Sequence, residues 1–309
     1  MGGVTAARPV VRWHTACVPT KDRTAPDAPP TAIGSVRGPV DRELVRFLGD
    51  RRAELAGMDP SAVALVDELL RLLGAGGKRV RPALCFWAYR AAGGREDDPI
   101  VRVCGALELL HTSALVHDDL MDRDVERRGV ASTHVRFAEE APAGADADGF
   151  GTSAAILVGD LALVLSERMI RTSGFGAGSL EPAMTRFDRM RVEMAAGQFL
   201  DVSGVGDRAR VRALKTGSYT AEGPVMIGAA LAGAGPQAEG PLRVFGRLVG
   251  EAFQLRDDVA DGDAASDAGE EVDDLVSRAE RALGDAPLRR QGLDALIEIA
   301  ELLRAPGTA

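Results

Sequence analysis

The sequence has few aromatic residues and no excess of positive charge. Aromatic side chains make up 4% of the 309 residues while 46% are hydrophobic, so Ala, Leu and Val must form most of the core. Strands favour aromatic and β-branched residues, so this composition favours close-packed helices over a β-sandwich. The formal net charge of −9 argues against a general surface for nucleic acid or anionic membrane. We therefore expect no nucleic-acid partner.

Cysteine pairs and long apolar runs are also lacking. Cys17, Cys85 and Cys104 are widely spaced and form no CxxC pair, which argues against a zinc site and against a disulfide framework. Such usage suits a reducing compartment, and we predict a cytoplasmic protein. No run of about 18 apolar residues occurs, so we expect no membrane span. The N-terminus lacks the uninterrupted apolar stretch of a secretory signal.

The chain divides into a leader and one helical domain. Residues 1–38 are rich in Pro, Thr, Ala and Arg and predict a disordered leader, and residues 39–309 form the domain. Apolar residues then recur at helical spacing from Asp41 onward. This spacing predicts helices at about 63–73, 101–122, 153–172, 180–200, 207–220, 224–233, 241–261 and 286–304. Residues 262–274 are acidic and small, which predicts a mobile loop. The fold class is all-α.

Two aspartate clusters each follow an apolar helical stretch. Asp118, Asp119 and Asp122 form the first, and Asp257-Asp258-Val259-Ala260-Asp261 repeats the spacing. Carboxylates so close together repel one another, and the C-terminus of a helix disfavours negative charge further. Ligands that are all oxygen suit magnesium, which shares phosphate oxygens. One such cluster is more often solvated surface, but two in one helical chain favour metal sites.

Basic residues occur in two glycine-containing segments. The stretch 76–82, GGKRVRP, brings Lys78, Arg79 and Arg81 into a turn before a helix, and Arg127-Arg128-Gly129 follows the first aspartate cluster. Accessible backbone amides and forked guanidinium groups suit a diphosphate. An ordinary basic turn would look the same, so each segment alone is weak evidence.

Six ordered motifs together carry a resemblance to a known family. They are GGKRVRP at 76–82, ELLHTSALVHDDLMDRDVERRG at 108–129, VGD at 158–160, GQFLD at 197–201, KTGSY at 215–219 and FQLRDD at 253–258. The chain resembles the trans-isoprenyl diphosphate synthases (polyprenyl synthetases), most of all those that make geranylgeranyl diphosphate. The resemblance implies a single-domain helical bundle around a central cavity.

The resemblance also implies roles for individual residues. It implies that the aspartate clusters bind magnesium, three ions in all, through Asp118, Asp119, Asp122, Asp257, Asp258 and Asp261. It places the allylic diphosphate on Arg127 and Lys215, with Thr216 and Gln254 lining its pocket. It places isopentenyl diphosphate on Lys78, Arg81, His111 and Arg128, and Arg79 in the same basic turn is predicted to bind substrate as well. A core histidine at 111 and a packing glutamine at 254 are the plain alternatives.

Product length and assembly are further expectations from the family. Ser113 and Ala114 lie five and four residues before Asp118, one turn deeper in the expected pocket. Bulky aromatics at these positions stop elongation early in the family, so small residues imply a product longer than fifteen carbons. We favour the twenty-carbon geranylgeranyl diphosphate, with a longer polyprenyl chain as the alternative. The family commonly forms homodimers, and we expect one here.

The C-terminal part departs from the family pattern. Glu270 stands where a diphosphate-binding lysine is expected, and 51 residues follow Asp258, fewer than in the family. We therefore expect a shortened C-terminal end that lacks or rebuilds at least one helix. A chain-elongating synthase remains the favoured function. The alternatives are a class I terpene cyclase, which needs no isopentenyl site, and a weakly active regulatory subunit of a heteromeric synthase. A helical scaffold without activity would not need two metal sites.

Overall fold

The computed structural model describes residues 31–205, 207, 213–260 and 268–304. Its α-helices, numbered in chain order, are α1 (Ala32–Met58), α2 (Val63–Gly74), α3 (Val80–Ala91), α4 (Asp97–Asp122), α5 (Thr133–Glu139), α6 (Ala147–Arg171), α7 (Ala177–Ser203), α8 (Gly223–Leu231), α9 (Pro236–Ala260), α10 (Ala268–Leu283) and α11 (Arg290–Glu301). A 3₁₀ turn spans Pro60–Ala62, a π-helical segment spans Ala213–Glu222, and a two-residue hairpin pairs β1 (Glu126–Arg127) with β2 (Val130–Ala131). The predicted all-α fold is confirmed.

Helix α4 runs through the middle of the bundle and packs against α6. The two helices approach closely because each contributes a glycine at the contact. A Cβ at Gly105 would overlap Met169, and a Cβ at Gly159 would overlap the ring of His117. Since residue 105 faces 169 and residue 117 faces 159, the two helices are antiparallel. This pairing holds the first aspartate cluster at one end of the bundle.

The first helix begins earlier than composition predicts. Thr31 caps α1 by accepting a hydrogen bond from the Gly34 amide, and Pro39 lies inside the helix. Ala32 ties this end to the bundle, because its amide donates to Glu298 at 2.8 Å and its carbonyl accepts from Trp87 at 2.8 Å. Residues 32–38, assigned above to the leader, are therefore helical. Residues 1–30 lie outside the described part of the chain.

A helix also replaces part of the expected C-terminal loop. Residues 268–274 belong to α10, which buries Val272, Leu275, Val276 and Ala279 on one face. Its first turn carries Glu270 and Glu271, and acidic side chains stabilise the positive end of a helix dipole. The loop prediction was wrong there, while residues 261–267 lie outside the description. Glu270 is exposed at this position.

Two helices are long and apolar enough to cross a membrane by length and composition alone. Helix α4 has 67% of its most apolar window buried inside the bundle, and α6 has 44%. A core helix of a soluble protein passes the same test, so this is weak evidence. The absence of a membrane span stays a prediction.

Candidate active site

Two cavities are linked by the contact between Arg81 and Tyr219. One, of about 300 Å³, is lined by the basic turn, α4, α9 and Arg128, and we call it the polar cavity. The other, of about 410 Å³, lies between α4 and α7 and we call it the apolar groove. The Tyr219 ring lines the groove, and the Arg81 guanidinium of the polar cavity stacks on that ring at 4.5 Å from its centroid.

The glycine-rich turn shapes the polar cavity. Gly76 and Gly77 have φ angles of +114° and +150°, which residues other than glycine rarely adopt. A Cβ at Gly77 would lie 2.7 Å from Nη1 of Arg79 and 3.1 Å from Nη1 of Arg128. Arg128 donates to the Gly76 carbonyl at 2.5 Å, which fixes the turn against the hairpin. The two predicted basic segments are thus brought together.

Arg79 corrects one prediction from the sequence. Its side chain is 4% exposed and turned into the protein, where it donates to Asp41 at 2.8 Å and to Glu108 at 2.7 Å. It also donates to the Leu73 carbonyl at 2.9 Å. Burial alone would lower the pKa of Arg79, but Glu108 and Asp41 more than offset this and raise the pKa. Because these contacts occupy the guanidinium, we infer that Arg79, which also borders the polar cavity, holds the turn in place rather than binding a diphosphate.

His111 lies in the polar cavity with an unsatisfied nitrogen. Its Nδ1 is buried and has no hydrogen-bond partner. Burial, followed by the charges of Arg81 and Arg128, lowers the pKa of His111 well below its ordinary value. A neutral imidazole among guanidinium groups limits the local excess of positive charge. This environment suits an anion that supplies the missing partner.

Arg81 and Arg128 complete the cationic lining. Arg81 donates to the Thr220 hydroxyl at 3.0 Å while it stacks on Tyr219. Burial and the neighbouring arginines 79, 81 and 127 lower the pKa of Arg128, with Glu108 acting in the opposite direction. Lys78 lines the same cavity. These side chains therefore concentrate positive charge in a space that could hold a diphosphate.

The first aspartate cluster lies at the end of α4, and its three side chains differ in how far they are exposed. Asp118 lines the apolar groove, Asp122 is exposed, and Asp119 is 2% exposed. Asp119 accepts from Nε of Arg127 at 2.7 Å, and the same guanidinium donates to Asp124 at 2.8 Å. Burial raises the pKa of Asp119, and the bond to Arg127 lowers it by less. Arg127 is thus held at the cluster, and its role as an allylic diphosphate ligand stays a prediction.

Part of the second cluster faces the polar cavity. Asp257, near the end of α9, lines it together with Phe253 of the same helix. Gln254 is half-buried on α9. The side chain of Asp258, all of Asp261, and the side chains of Lys215 and Thr216 lie outside the described part of the chain. Their predicted roles stay predictions.

The apolar groove runs between two helical stripes. Helix α4 contributes Ser113, Ala114, His117, Asp118 and Met121, and α7 contributes Arg191, Met194, Ala195, Gln198, Phe199 and Val202. Ser113 and Ala114 therefore face the groove, as the sequence predicted. The α7 stripe was not predicted, although its spacing of three and four residues is the pattern of a helix face. Gln198 contacts the sulfur of Met121 at 3.5 Å.

The carboxylates at the cavities suit a hard divalent cation. Asp118, Asp119 and Asp122 provide oxygen ligands only, at the negative end of the α4 dipole. Among the described residues, no three His, Cys, Asp or Glu side chains converge on one point. Metal held there would therefore need oxygens from a ligand as well, which is how magnesium binds beside phosphates.

Over the part of the chain that the structure describes, these features define an all-α protein with a cationic cavity beside an apolar groove. The sequence profile for polyprenyl synthetases matches residues 63–278. The chain belongs to the polyprenyl synthetase family.

Curated relatives carry names from the same family. The chain is 35% identical over 201 residues to a geranylfarnesyl diphosphate synthase of Aeropyrum pernix, and this alignment covers 62% of this chain and 59% of that one. It is 35% identical over 205 residues to a chloroplastic geranylgeranyl pyrophosphate synthase of Catharanthus roseus, with 60% and 52% covered. It is 32% identical over 212 residues to an octaprenyl diphosphate synthase of Escherichia coli, with 66% and 59% covered. The chain thus spans between half and three-fifths of the length of these relatives.

Solved structures share the fold. A geranylgeranyl pyrophosphate synthase of Corynebacterium glutamicum, complexed with isoprenyl diphosphate and magnesium, superposes with a TM-score of 0.81 at 23% identity. The match covers 89% of this chain and 99% of that one. A geranylgeranyl pyrophosphate synthetase of Geoglobus acetivorans superposes with a TM-score of 0.72 at 23% identity, and the match covers 88% of this chain and 99% of that one. At such identities the likeness establishes the fold alone.

Proposed function

We propose that the protein is a magnesium-dependent prenyltransferase that condenses an allylic prenyl diphosphate with isopentenyl diphosphate. One observation carries this proposal. A cationic cavity with a buried, unpartnered His111 nitrogen adjoins an apolar groove, and aspartates from both clusters line the two spaces. A reaction between two diphosphates needs two anion sites and an apolar channel for the tail, and the polar cavity, the first aspartate cluster with Arg127, and the apolar groove would supply them. Membership of the polyprenyl synthetase family supports the same activity.

The polar cavity would hold isopentenyl diphosphate. Lys78, Arg81 and Arg128 supply donors for the diphosphate oxygens, and His111 supplies another. Asp257 of the second aspartate cluster lines the same cavity. The apolar groove would take the allylic tail, with its reactive end near Asp118. Tyr219, which lines the groove and contacts Arg81, would lie between the two substrates.

Ionisation of the allylic carbon–oxygen bond creates a carbocation that water would quench. The apolar groove walls, which include Met194 and Leu163, would shield it from water. The double bond of isopentenyl diphosphate then attacks, and a proton leaves to the released diphosphate. No side-chain nucleophile takes part.

Magnesium fits the carboxylates Asp118, Asp119, Asp122 and Asp257, with Asp258 and Asp261 as further ligands by resemblance. Three ions are proposed. Bound there, magnesium would neutralise the leaving diphosphate and so favour its departure. Arg127, held between Asp119 and Asp124, adds a fixed cation at the same place.

The remaining assignments extend the proposal. Small Ser113 and Ala114 support a product longer than fifteen carbons, and we favour geranylgeranyl diphosphate. A homodimer and a cytoplasmic location complete it. A cyclase needs one diphosphate site, so the polar cavity argues against that alternative. Glu270 gives the regulatory subunit no structural support, because its charge suits the first turn of α10.

An elongation assay tests the proposal. The protein is incubated with magnesium, labelled isopentenyl diphosphate and, separately, allylic partners of five, ten and fifteen carbons. Prenyl alcohols, identified by mass after phosphatase treatment and lost on chelation, are the expected products. Hydrocarbons or cyclised alcohols from the allylic substrate alone would instead establish a cyclase. No product in any reaction would reject catalysis by the chain alone.

Removal of one carboxylate tests the metal assignment. Asp118→Ala is expected to lower turnover at saturating magnesium by at least about 100-fold, because it removes a ligand at the leaving diphosphate. Circular dichroism should show an unchanged helical content. Asp273→Ala, which removes an exposed aspartate from α10, is the control and should keep wild-type turnover. Comparable turnover in both variants would reject Asp118 as a metal ligand.

A further inference from the structure

The apolar groove ends at a charged pair. Arg191 is the deepest α7 side chain that lines the groove, and it donates to Glu167 of α6 at 2.7 Å. Leu163, one turn before Glu167, lines the groove on the α6 side. Glu167 therefore lies just beyond the wall that Leu163 forms. We call the Arg191–Glu167 ion pair the charged floor.

The floor lies below the predicted chain-length residues. Because α4 and α6 are antiparallel, moving from His117 to Ser113 on α4 corresponds to moving from Gly159 to Leu163 on α6. Glu167 is one further turn down. From Gly159 to Glu167 the helix rises by about 12 Å. The groove therefore has a limited depth below the first aspartate cluster.

Several contacts hold the floor in place. The Arg191 guanidinium stacks on the Phe187 ring at 4.7 Å and also pairs with Asp188. Glu167 accepts a second hydrogen bond, from Arg171 at 2.7 Å. Phe187 is fully buried beneath the guanidinium. A prenyl tail that reached this level would have to displace Arg191 or strip water from a charged pair.

We infer that the charged floor sets the length of the prenyl tail that the groove accepts, and that Arg191 is the specificity-determining residue. The inference rests on the function proposed above. Replacing Arg191 with an apolar side chain leaves Glu167 paired with Arg171 and leaves Asp188 exposed to water, so no buried charge is orphaned. The groove would then continue toward Phe187.

Product length in Arg191→Leu provides the first test. The product distribution is expected to shift by at least one five-carbon unit toward longer chains. Arg189→Leu is the matched control, since Arg189 is 76% exposed and pairs with Glu193 of its own helix. Glu167→Gln keeps the size of the side chain while weakening the pair, and should shift the products in the same direction by less. Unchanged products in Arg191→Leu, made at wild-type rate, would overturn the inference while leaving the proposed function intact.

Binding provides a second test that does not depend on turnover. Calorimetry with magnesium and unreactive thiolodiphosphate analogues of ten, fifteen, twenty and twenty-five carbons gives affinity against tail length. Wild-type affinity should stop rising at the length that reaches the floor. In Arg191→Leu the next longer analogue should bind about tenfold tighter than it binds to wild type. Identical length profiles would overturn the inference, and no binding of any analogue to wild type would overturn the proposed function with it.

Discussion

At the scale of single residues, the polar cavity holds more positive charge than its surroundings balance. Arg79 is neutralised by Asp41 and Glu108, whereas Arg81 and Arg128 face the cavity. The imidazole of His111 stays neutral among them, because burial and the arginines lower its pKa. Folding therefore excludes a proton that the unfolded chain would bind in mildly acidic solution.

This exclusion makes stability depend on pH. Histidine in the unfolded chain has a pKa of about 6.5. The contribution of His111 therefore leaves the free energy of unfolding unchanged above that pH. Below it, the free energy of unfolding falls with falling pH by at most about 1.4 kcal/mol per pH unit. His111→Gln should remove the part of this pH dependence that comes from His111. Urea unfolding at pH 7.5 and pH 5.5 gives the change in the free energy of unfolding between the two conditions, which is then compared between wild type and variant. An equal difference in both proteins would show that His111 is not held neutral.

The direction of a charged side chain was the least predictable property at this scale. The sequence brings Lys78, Arg79 and Arg81 into one basic turn without indicating which of them faces inward. The left-handed backbone at Arg79, with φ of 56°, turns its guanidinium toward Glu108 on a helix 29 residues away. Arg191 was missed for a related reason, since an arginine near acidic residues in a helix resembles a solvated face.

At the scale of helices, glycines decide how closely neighbours pack. A Cβ at Gly228 of α8 would overlap the Cys85 carbonyl oxygen of α3, and a Cβ at Gly292 of α11 would overlap the backbone of Ala91. Backbone atoms cannot rotate away as a side chain would. These contacts fix α3, whose first residues carry Arg81 into the polar cavity. Loss of close packing here would therefore be transmitted to the site.

Gly228→Ala should destabilise the fold by about 1–3 kcal/mol, because it overpacks a contact between two backbones. Gly49→Ala is the matched control in α1, where an added Cβ meets no atom within 4 Å. It should stabilise the fold by about 0.5–1 kcal/mol, since alanine favours a helix more than glycine does. Urea unfolding of the two variants measures both changes. Equal stabilities would contradict the close approach of α8 and α3.

Most helices could be predicted because their apolar residues recur with a helical period. The start of α1 could not, because Pro39 and the proline-rich residues before it resemble a linker, while the helix is fixed by Trp87 and Glu298 from distant parts of the chain. Helix α10 was missed because its first residues are small and acidic. The aspartate clusters and basic turns were found from spacing, but the α7 side of the groove depends on tertiary packing.

At the scale of the whole molecule, an apolar surface remains on α6 and α7. Leu157 and Val164 of α6 are 55% and 63% exposed, and Val192 of α7 is 68% exposed. Leu157 and Val164 are separated by seven residues, so they lie on one face of α6. Exposed apolar surface of this kind is typical of a protein interface. A second copy of the chain is the proposed partner.

Charge placed on this surface should separate the copies. Light scattering after size exclusion should give wild type a mass of twice the 32.4 kDa chain. Leu157→Glu with Val164→Glu should give a single chain, since two carboxylates would have to be buried in the interface. Val45→Glu changes a valine of α1 that is 60% exposed and should leave the dimer intact. A wild-type protein that elutes as a single chain would reject the homodimer.

The shared wall between the two cavities has a thermodynamic consequence. Tyr219 lines the groove with one part of its ring and carries the Arg81 guanidinium on its face. An occupant that shifts this ring in the groove also shifts a donor in the polar cavity. Thermodynamic linkage is reciprocal. If a tail in the groove changes the affinity of the polar cavity for its diphosphate by some factor, that diphosphate changes the affinity of the groove for the tail by the same factor. Such a movement of Tyr219 would couple occupancy of the groove to occupancy of the polar cavity, whichever ligand arrives first.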